Sequence, residues 1–178
     1  MFEEYAQAIT EFVRAHQTWA APIVAGLTFC ESLAFLSLLI PAWSVLVAMG
    51  VLIGASDIPL WPVLIAGAVG AALGDWVSYW LGWKFKDRIA HMWPMSRHPD
   101  FLPRGHRFVE RWGIYAIFIG RFSGPLRASV PLIAGILEMP MFWFQLANFS
   151  SAFLWAWMLL VIGDVGQKVF QSLRPMFG

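Results

Sequence analysis

The sequence predicts an all-α polytopic membrane protein, an inverted-repeat-like arrangement of two re-entrant helical hairpins plus transmembrane helices. Three observations carry that class. Residues of the set A, V, I, L, M, F, W, Y and C make up 59% of the 178 positions and charged residues 13%, against roughly 45–50% apolar and about 25% charged in soluble domains. Mean hydropathy is +0.64. Matching landmarks also recur about half a chain apart. A soluble globule of this size leaves about a third of its surface exposed and cannot hide so much apolar area. Eleven Trp and fifteen Phe add rings suited to a membrane interface. A soluble enzyme, a disordered chain and a secreted disulfide scaffold are excluded. Net charge is +1, so no basic field favours nucleic acid, and the single Cys30 makes no intrachain disulfide.

Residues 1–18 place Phe2, Tyr5, Ile9, Phe12 and Val13 on one side of a helix, with Glu3, Glu4, Glu11 and Arg14 mostly elsewhere. This is an amphipathic N-terminal helix, either lying along the interface or packed on the protein. It carries no signal-peptide or lipidation pattern. The membrane domain is expected over 19–164. From Thr18 to Asp57 the only ionisable residue is Glu31, a run longer than the roughly 20 residues one span needs. It requires a spanning helix plus a second element, or a hairpin inside the membrane, and Pro41 supplies the break. A third apolar stretch, Ile58 to Trp83, is interrupted only by Asp75 and closes the first half.

Residues 84–111 read as one hydrophilic loop. It holds seven Lys/Arg (Lys84, Lys86, Arg88, Arg97, Arg104, Arg107, Arg111) against Asp87, Asp100 and Glu110, which places it in the cytoplasm by the positive-inside rule. The second half, 112–164, contains an apolar stretch with Arg121 and Arg127 and then an uncharged one from Met139 to Gly163; residues 165–178 form a short, mildly amphipathic tail. Glu31 and Pro41 are ten residues apart, as are Arg121 and Pro131, at an offset of 90; Gly74-Asp75 and Gly163-Asp164 repeat at 89. Repeats of this kind are a recurrent build for secondary transporters, with interrupted helices meeting near the midplane. An inverted repeat puts both termini opposite the basic loop.

Four charges stand in apolar surroundings: Glu31, Asp75, Arg121 and Arg127. Each costs about 2.5–3.5 kcal/mol at a helix centre, so they are paired, hydrated in a cavity, or near an interface. Two readings stay open: an ion pair of Glu31 with one arginine that only fixes packing, or a site. Asp75 is the weaker site candidate, since its run ends near the headgroups. Two arginines against one nearby acid leave positive charge in excess, which favours an anionic guest. Gly124-Pro125 predicts a break in the helix between Arg121 and Arg127. A break there lets both guanidiniums converge on a phosphate, with freed backbone N–H groups beside them. Pro41, Gly124, Pro125 and Pro131 are the expected structural breaks at the site. Glu31 is the proton or gating carboxylate, alternating with the headgroup because each changes the field felt by the other.

Enzyme patterns are absent: there is no G-x-S-x-G, H-E-x-x-H or Walker A run. His91, His98 and His106 match no usual metal spacing and read as solvated loop histidines. Trp76, Tyr79, Trp80, Trp83, Trp143, Trp155 and Trp157 read as interface belts and helix packing. No catalytic residue, metal or cofactor is expected.

The run G-R-F-S-G-P-L-R-A-S-V-P-L-I-A-G-I-L-E-M-P (120–140), with Phe144, Asn148 and Trp155, resembles the signature of the DedA family, within the wider group carrying the SNARE-associated, or VTT, domain. G-A-A-L-G-D-W-V-S-Y-W-L-G (70–82) resembles that family's G-x-x-x-G-D-x-x-x-Y-x-x-G motif, and Phe29-Cys30-Glu31 with Ile40-Pro41 its first re-entrant segment. The likeness covers about residues 22–164. It implies two facing re-entrant hairpins in the bacterial cytoplasmic (inner) membrane and lipid translocation, as undecaprenyl phosphate recycling or phospholipid flipping, linked in several members to the proton motive force. The family's acid and arginine pair fall on Glu31, Arg121 and Arg127. Many members carry Pro-Gly and a second acid where this chain has Pro41-Ala42-Trp43; Trp43 neither carries a proton nor pairs with arginine.

The expected function is therefore translocation of a phosphate-bearing lipid, with Arg121 and Arg127 on the headgroup. The expected partners are that lipid and the membrane, with no nucleic acid and a homodimer left open. Two rivals stand beside it: a proton- or cation-coupled antiporter of small solutes, and a non-transporting membrane scaffold whose charges are structural pairs.

Overall fold

Small side chains decide how closely these helices meet. The computed structural model describes residues 17–33, 46–48, 50–51, 53, 59–86, 88, 101–123, 127 and 129–177, and among them all regular structure is helical. The N-terminal segment 1–16, Pro41 with Ala42 and Trp43, most of 87–100 with His91 and His98, and Gly124 and Pro125 lie outside the described residues.

Helix α1 (Gln17–Ser32) packs on α2 (Leu60–Phe85). The inner face of α2 carries Gly67, Ala68, Gly70, Ala71, Ala72, Gly74 and Ser78, the small residues that let membrane helices approach backbone to backbone. Val24 lies beside Gly67, Ala25 and Thr28 beside Gly70, and Phe29 and Ser32 beside Gly74. The numbers rise together, so the two helices run parallel, and the chain between them returns to the side where α1 began. Helical residues between 46 and 53 supply Leu46, which touches Gly67, and Gly50, which meets Gly163.

The 84–111 segment is not loop throughout. Helix α3 (Phe101–Trp112) occupies its last third. Gly105 and Val109 turn inward while Arg104, Arg107, Glu110 and Arg111 face out. Pro103 sits in the first turn, where a missing N–H costs no helical bond. His106 lies on this helix beside Glu110, one turn on. Gly113, at φ +52°, then stops α3 in a left-handed conformation, its N–H donating to Val109 O at 2.8 Å.

The apolar stretch that follows is two short helices, α4 (Tyr115–Phe122) and α5 (Ser129–Ile136). Pro131 is the third residue of α5, so it starts a helix and does not break one. Helix α6 (Met141–Phe177) runs without interruption through Asp164, so the expected tail is its continuation. There Lys168 pairs with Asp164 at 2.7 Å, one turn back.

α2 touches α1, α5 and α6, and α4 touches α6. Leu60–Phe85 and Met141–Val169 are long and apolar enough to cross a membrane; 26 residues of helix span about 39 Å against a hydrocarbon core of roughly 30 Å. Their outward faces stay apolar: Trp61, Ile65, Val69, Leu73, Trp76 and Trp80 on α2, Phe142, Leu146, Phe149, Phe153 and Trp157 on α6. Such stripes suit lipid, not water.

Two apolar clusters form the interior. One gathers Val24, Leu46, Leu64, Ala71, Ala72, Ala152, Trp155 and Leu160. The other gathers Tyr79, Val109, Ile117, Val130, Ile133, Phe144 and Ala147. Along α2, Asp75 and Ser78 lie between them; along α6, Asn148 and Ser151 do. The fold thus holds a polar layer between two apolar ones.

Candidate functional site

The polar layer is built around two ion pairs. Arg121, in the last turn of α4, pairs with Asp75 through Nη2. The same nitrogen donates to Asn148 Oδ1 at 2.7 Å, and Nε donates to Ser151 Oγ at 3.0 Å. Asn148 is held in turn by donating from Nδ2 to Ala72 O at 2.8 Å, and Ser151 Oγ donates to Asn148 O at 3.1 Å. The side chains of Arg121 and Asp75 are 2% and 4% exposed. A pair this deep persists only where further hydrogen bonds meet its remaining atoms.

Arg127 follows the break after α4. Its Nη1 donates to Glu31 Oε1 at 2.7 Å, and Nη2 to Ser32 Oγ at 3.2 Å. Its guanidinium lies over the Trp155 ring, 4.2 Å from the centroid, a cation–π arrangement worth about 2 kcal/mol when desolvated. This pair is shallower on the arginine side, at 10% exposure. Gly74 makes it possible. A Cβ there would stand 2.5 Å from Phe29 O and 2.7 Å from the Ser32 Cβ, so any side chain would push away the end of α1 that carries Glu31. Ser78 Oγ, within 3.2 Å of Ser32 O and 3.0 Å of Gly74 O, ties α1 to α2 at the same level.

All four predicted membrane charges therefore meet in one place, with two corrections. Asp75, expected as the weaker site residue, is buried and paired, and the charges balance two against two, so the expected positive excess is not present among the described residues. Trp155 belongs to the site; it is not a belt residue. Trp76, Trp80, Trp83, Trp143 and Trp157 do face outward, whereas Tyr79 is buried and stacks on Phe144 at 4.3 Å. Ser32, Asn148 and Ser151 escaped the reading of the charges. Their signal was present: Asn148, Ser151 and Trp155 lie three and four residues apart, one face of a helix in an uncharged run.

Two donors remain open. Arg121 Nη1 and Arg127 Nε are buried with no hydrogen-bond partner among the described residues, and Asp75 Oδ1 has none either. Buried polar groups are rarely left so, and a guanidinium N–H is a donor to carboxylate or phosphate oxygen. No group of His, Cys, Asp and Glu able to hold a metal occurs among the described residues.

Comparison with known proteins adds a family. The model of the VTT domain matches residues 40–165. The chain is 33% identical over 151 residues to the inner membrane protein YabI of Escherichia coli (strain K12), covering 84% of this chain and 59% of that protein. It is 33% identical over 125 residues to the inner membrane protein YqjA of the same strain, covering 70% and 57%. An uncharacterized membrane protein of Buchnera aphidicola subsp. Schizaphis graminum is 31% identical over 147 residues, covering 83% and 58%. The chain thus spans under two thirds of the length of these relatives. No solved structure matches it at a significant level.

Proposed function

Because the chain belongs to the VTT-domain, or DedA, family and is a bacterial inner-membrane protein, we propose that it moves a phosphate-bearing lipid, undecaprenyl phosphate or a phospholipid, across that membrane. One observation carries the reading. Two buried guanidiniums, each with an N–H unengaged among the described residues, lie in one polar layer, and a phosphate group can take the place of the carboxylate on Arg127. Ser151 and Trp155, which hold Arg121 and Arg127, are one turn apart on α6, about 6 Å along its axis, a spacing one headgroup can bridge.

The two pairs have different tasks in this scheme. Asp75–Arg121, with its Asn148 and Ser151 bonds, is the fixed anchor. Glu31–Arg127 is the moving part: a proton on Glu31 removes the charge that holds Arg127, which then turns to the incoming phosphate. Loss of the proton restores the pair and expels the lipid. Coupling to the proton motive force enters at this carboxylate.

The backbone supports two re-entrant hairpins. α4 and α5 have eight residues each, about 12 Å, well short of a span. α1 and α2 run parallel, which requires a returning segment between them. Packing is also reciprocal: Gly50 meets α6 at Gly163, and α5 meets α2 at Tyr79 and Gly82. In this arrangement residues 84–111, with α3, face the cytoplasm.

The balance of two acids against two arginines favours a second reading, a scaffold in which the pairs only fix packing. Liposomes carrying a polyprenyl phosphate, with an external phosphatase reporting the exposed pool, separate the two. Transport predicts that the purified protein exposes the inner pool and that Arg127→Ala stops this with thermal stability kept. Inactivity of the unaltered protein, or loss of activity only together with loss of fold, would leave the scaffold.

A further inference from the structure

Away from the polar layer, the end of α2 and the α5–α6 turn enclose a cleft of about 370 Å³. Tyr79, Trp80, Trp83, Met139 and Met141 line it, with Glu138 as the acid of its lining. Trp80 and Trp83 are exposed at the end of a span where the basic segment begins, which is where tryptophans mark the headgroup level.

The mouth of this cleft carries opposite charges. Glu138 pairs with Lys86, and both side chains are about half exposed, so the pair is weak and exchangeable. Lys84 adds a second cation at this end of α2, its ammonium 4.6 Å from the ring centroid of Trp80, a residue of the cleft lining. The acid is held there by an unusual backbone. Glu138 has φ +54°, in a turn where Glu138 N–H donates to Gly135 O at 3.0 Å and Met139 N–H to Ala134 O at 3.0 Å. That is the helix-ending position where glycine is preferred, and a side chain there is a departure that points to use. Tyr79 fixes the turn by donating to Met139 O at 2.5 Å.

We propose that this cleft binds one aminophospholipid of the surrounding bilayer, at a site separate from Arg121 and Arg127. An acyl chain lies on Trp80, Trp83, Met139 and Met141. The primary ammonium takes the place of Lys86 on Glu138, and the phosphate accepts from the released Lys86 and from Lys84. Phosphatidylglycerol, with no ammonium, satisfies only the lysines and sets its charge against Glu138. A trimethylammonium headgroup has no N–H to give that carboxylate. Of these three, the zwitterion with a primary amine alone matches both signs and gives the carboxylate an N–H.

Native mass spectrometry of the delipidated full chain, titrated separately with phosphatidylethanolamine, phosphatidylglycerol and phosphatidylcholine of identical acyl chains, tests this. The expected result is one retained phosphatidylethanolamine, at least fivefold above either other lipid. Glu138→Gln, a surface change that keeps the fold, should erase that preference, while Lys86→Gln should weaken all three lipids. Equal retention of the three, a preference for phosphatidylglycerol, or an ethanolamine preference that survives Glu138→Gln would overturn the proposal. So would a preference lost in Arg127→Ala instead, which would place the lipid in the polar layer. Retention is read without transport, so the outcome stands apart from whether the chain moves lipid.

Discussion

Ser151 and Trp155 are one helical turn apart on α6, and each holds one of the two membrane arginines, Ser151 by a 3.0 Å hydrogen bond from Arg121 and Trp155 by its ring 4.2 Å from the Arg127 guanidinium. A single stretch of helix therefore sets the separation of the two cations. Arg121 is locked by three side chains, Asp75, Asn148 and Ser151; Arg127 is left with one carboxylate, one hydroxyl and a ring. That asymmetry separates a fixed charge from a movable one.

Replacing Trp155 tests the ring. Trp155→Leu keeps apolar bulk but removes the π face, and should weaken the hold on Arg127 by about 1–2 kcal/mol. Trp155→Phe should recover part of that. Lipid movement in the phosphatase-exposure assay is the readout, with initial rates falling in the order Trp, Phe, Leu. Equal rates for Phe and Leu would remove the cation–π contact from the mechanism.

The deeper pair makes a prediction about stability. Asp75→Leu or Arg121→Met alone leaves an uncompensated charge in the apolar interior, and each should cost about 3–5 kcal/mol. Asp75→Leu with Arg121→Met removes both charges and keeps volume, so it should cost far less than the two single changes together. Unfolding of the detergent-solubilised protein measures the cycle. Simple additivity would mean that the two side chains do not depend on each other.

Glu31→Gln should act differently. It keeps the shape beside Arg127 and Ser32 but cannot gain or lose a charge. Stability should fall by less than the roughly 3–5 kcal/mol of a fully broken buried pair, because the Gln carbonyl still accepts from Arg127. Lipid movement should lose its dependence on pH and on an imposed proton gradient. Unchanged pH dependence in Glu31→Gln would move proton coupling to another residue.

The class of the fold was legible because lipid-facing apolar residues are conspicuous in any window, and so were the four charges because each is costly where it stands. What could not be read was the partner of each charge. Asp75 and Arg121 are 46 residues apart, and Glu31 and Arg127 are 96 apart; local periodicity says nothing about which helix faces which. Asp75 looked peripheral since its apolar run ends eight residues later at Trp83, yet it lies ten residues before the end of a 26-residue helix, on the face that α1, α5 and α6 cover. Helix α3 was hidden by its charges: Arg104, His106, Arg107, Glu110 and Arg111 stand in a run of twelve residues, and the inward-turned positions reduce to Gly105, Phe108 and Val109. Pro131 looked like a break because its place in the first turn of α5 is visible only once the start of that helix is known.

Gly74 offers the sharpest test of how packing positions the site. A methyl group there meets Phe29 O at 2.5 Å and the Ser32 Cβ at 2.7 Å, neither of which is the free end of a flexible chain. Gly74→Ala must therefore shift the last turn of α1 away from α2, taking Glu31 and Ser32 from Arg127. Overpacking of this kind costs about 1–3 kcal/mol. Gly26, on the same pair of helices, has nothing within 4 Å of its would-be Cβ, so Gly26→Ala should be neutral or stabilising by up to about 1 kcal/mol through helix propensity. Both add one methyl to the α1–α2 unit, and only the first sits under the carboxylate. Transport should be lost in Gly74→Ala beyond what its stability change explains, and retained in Gly26→Ala. Transport that falls in Gly74→Ala only as far as its loss of stability would show that Gly74 serves the helix contact and not the charge pair.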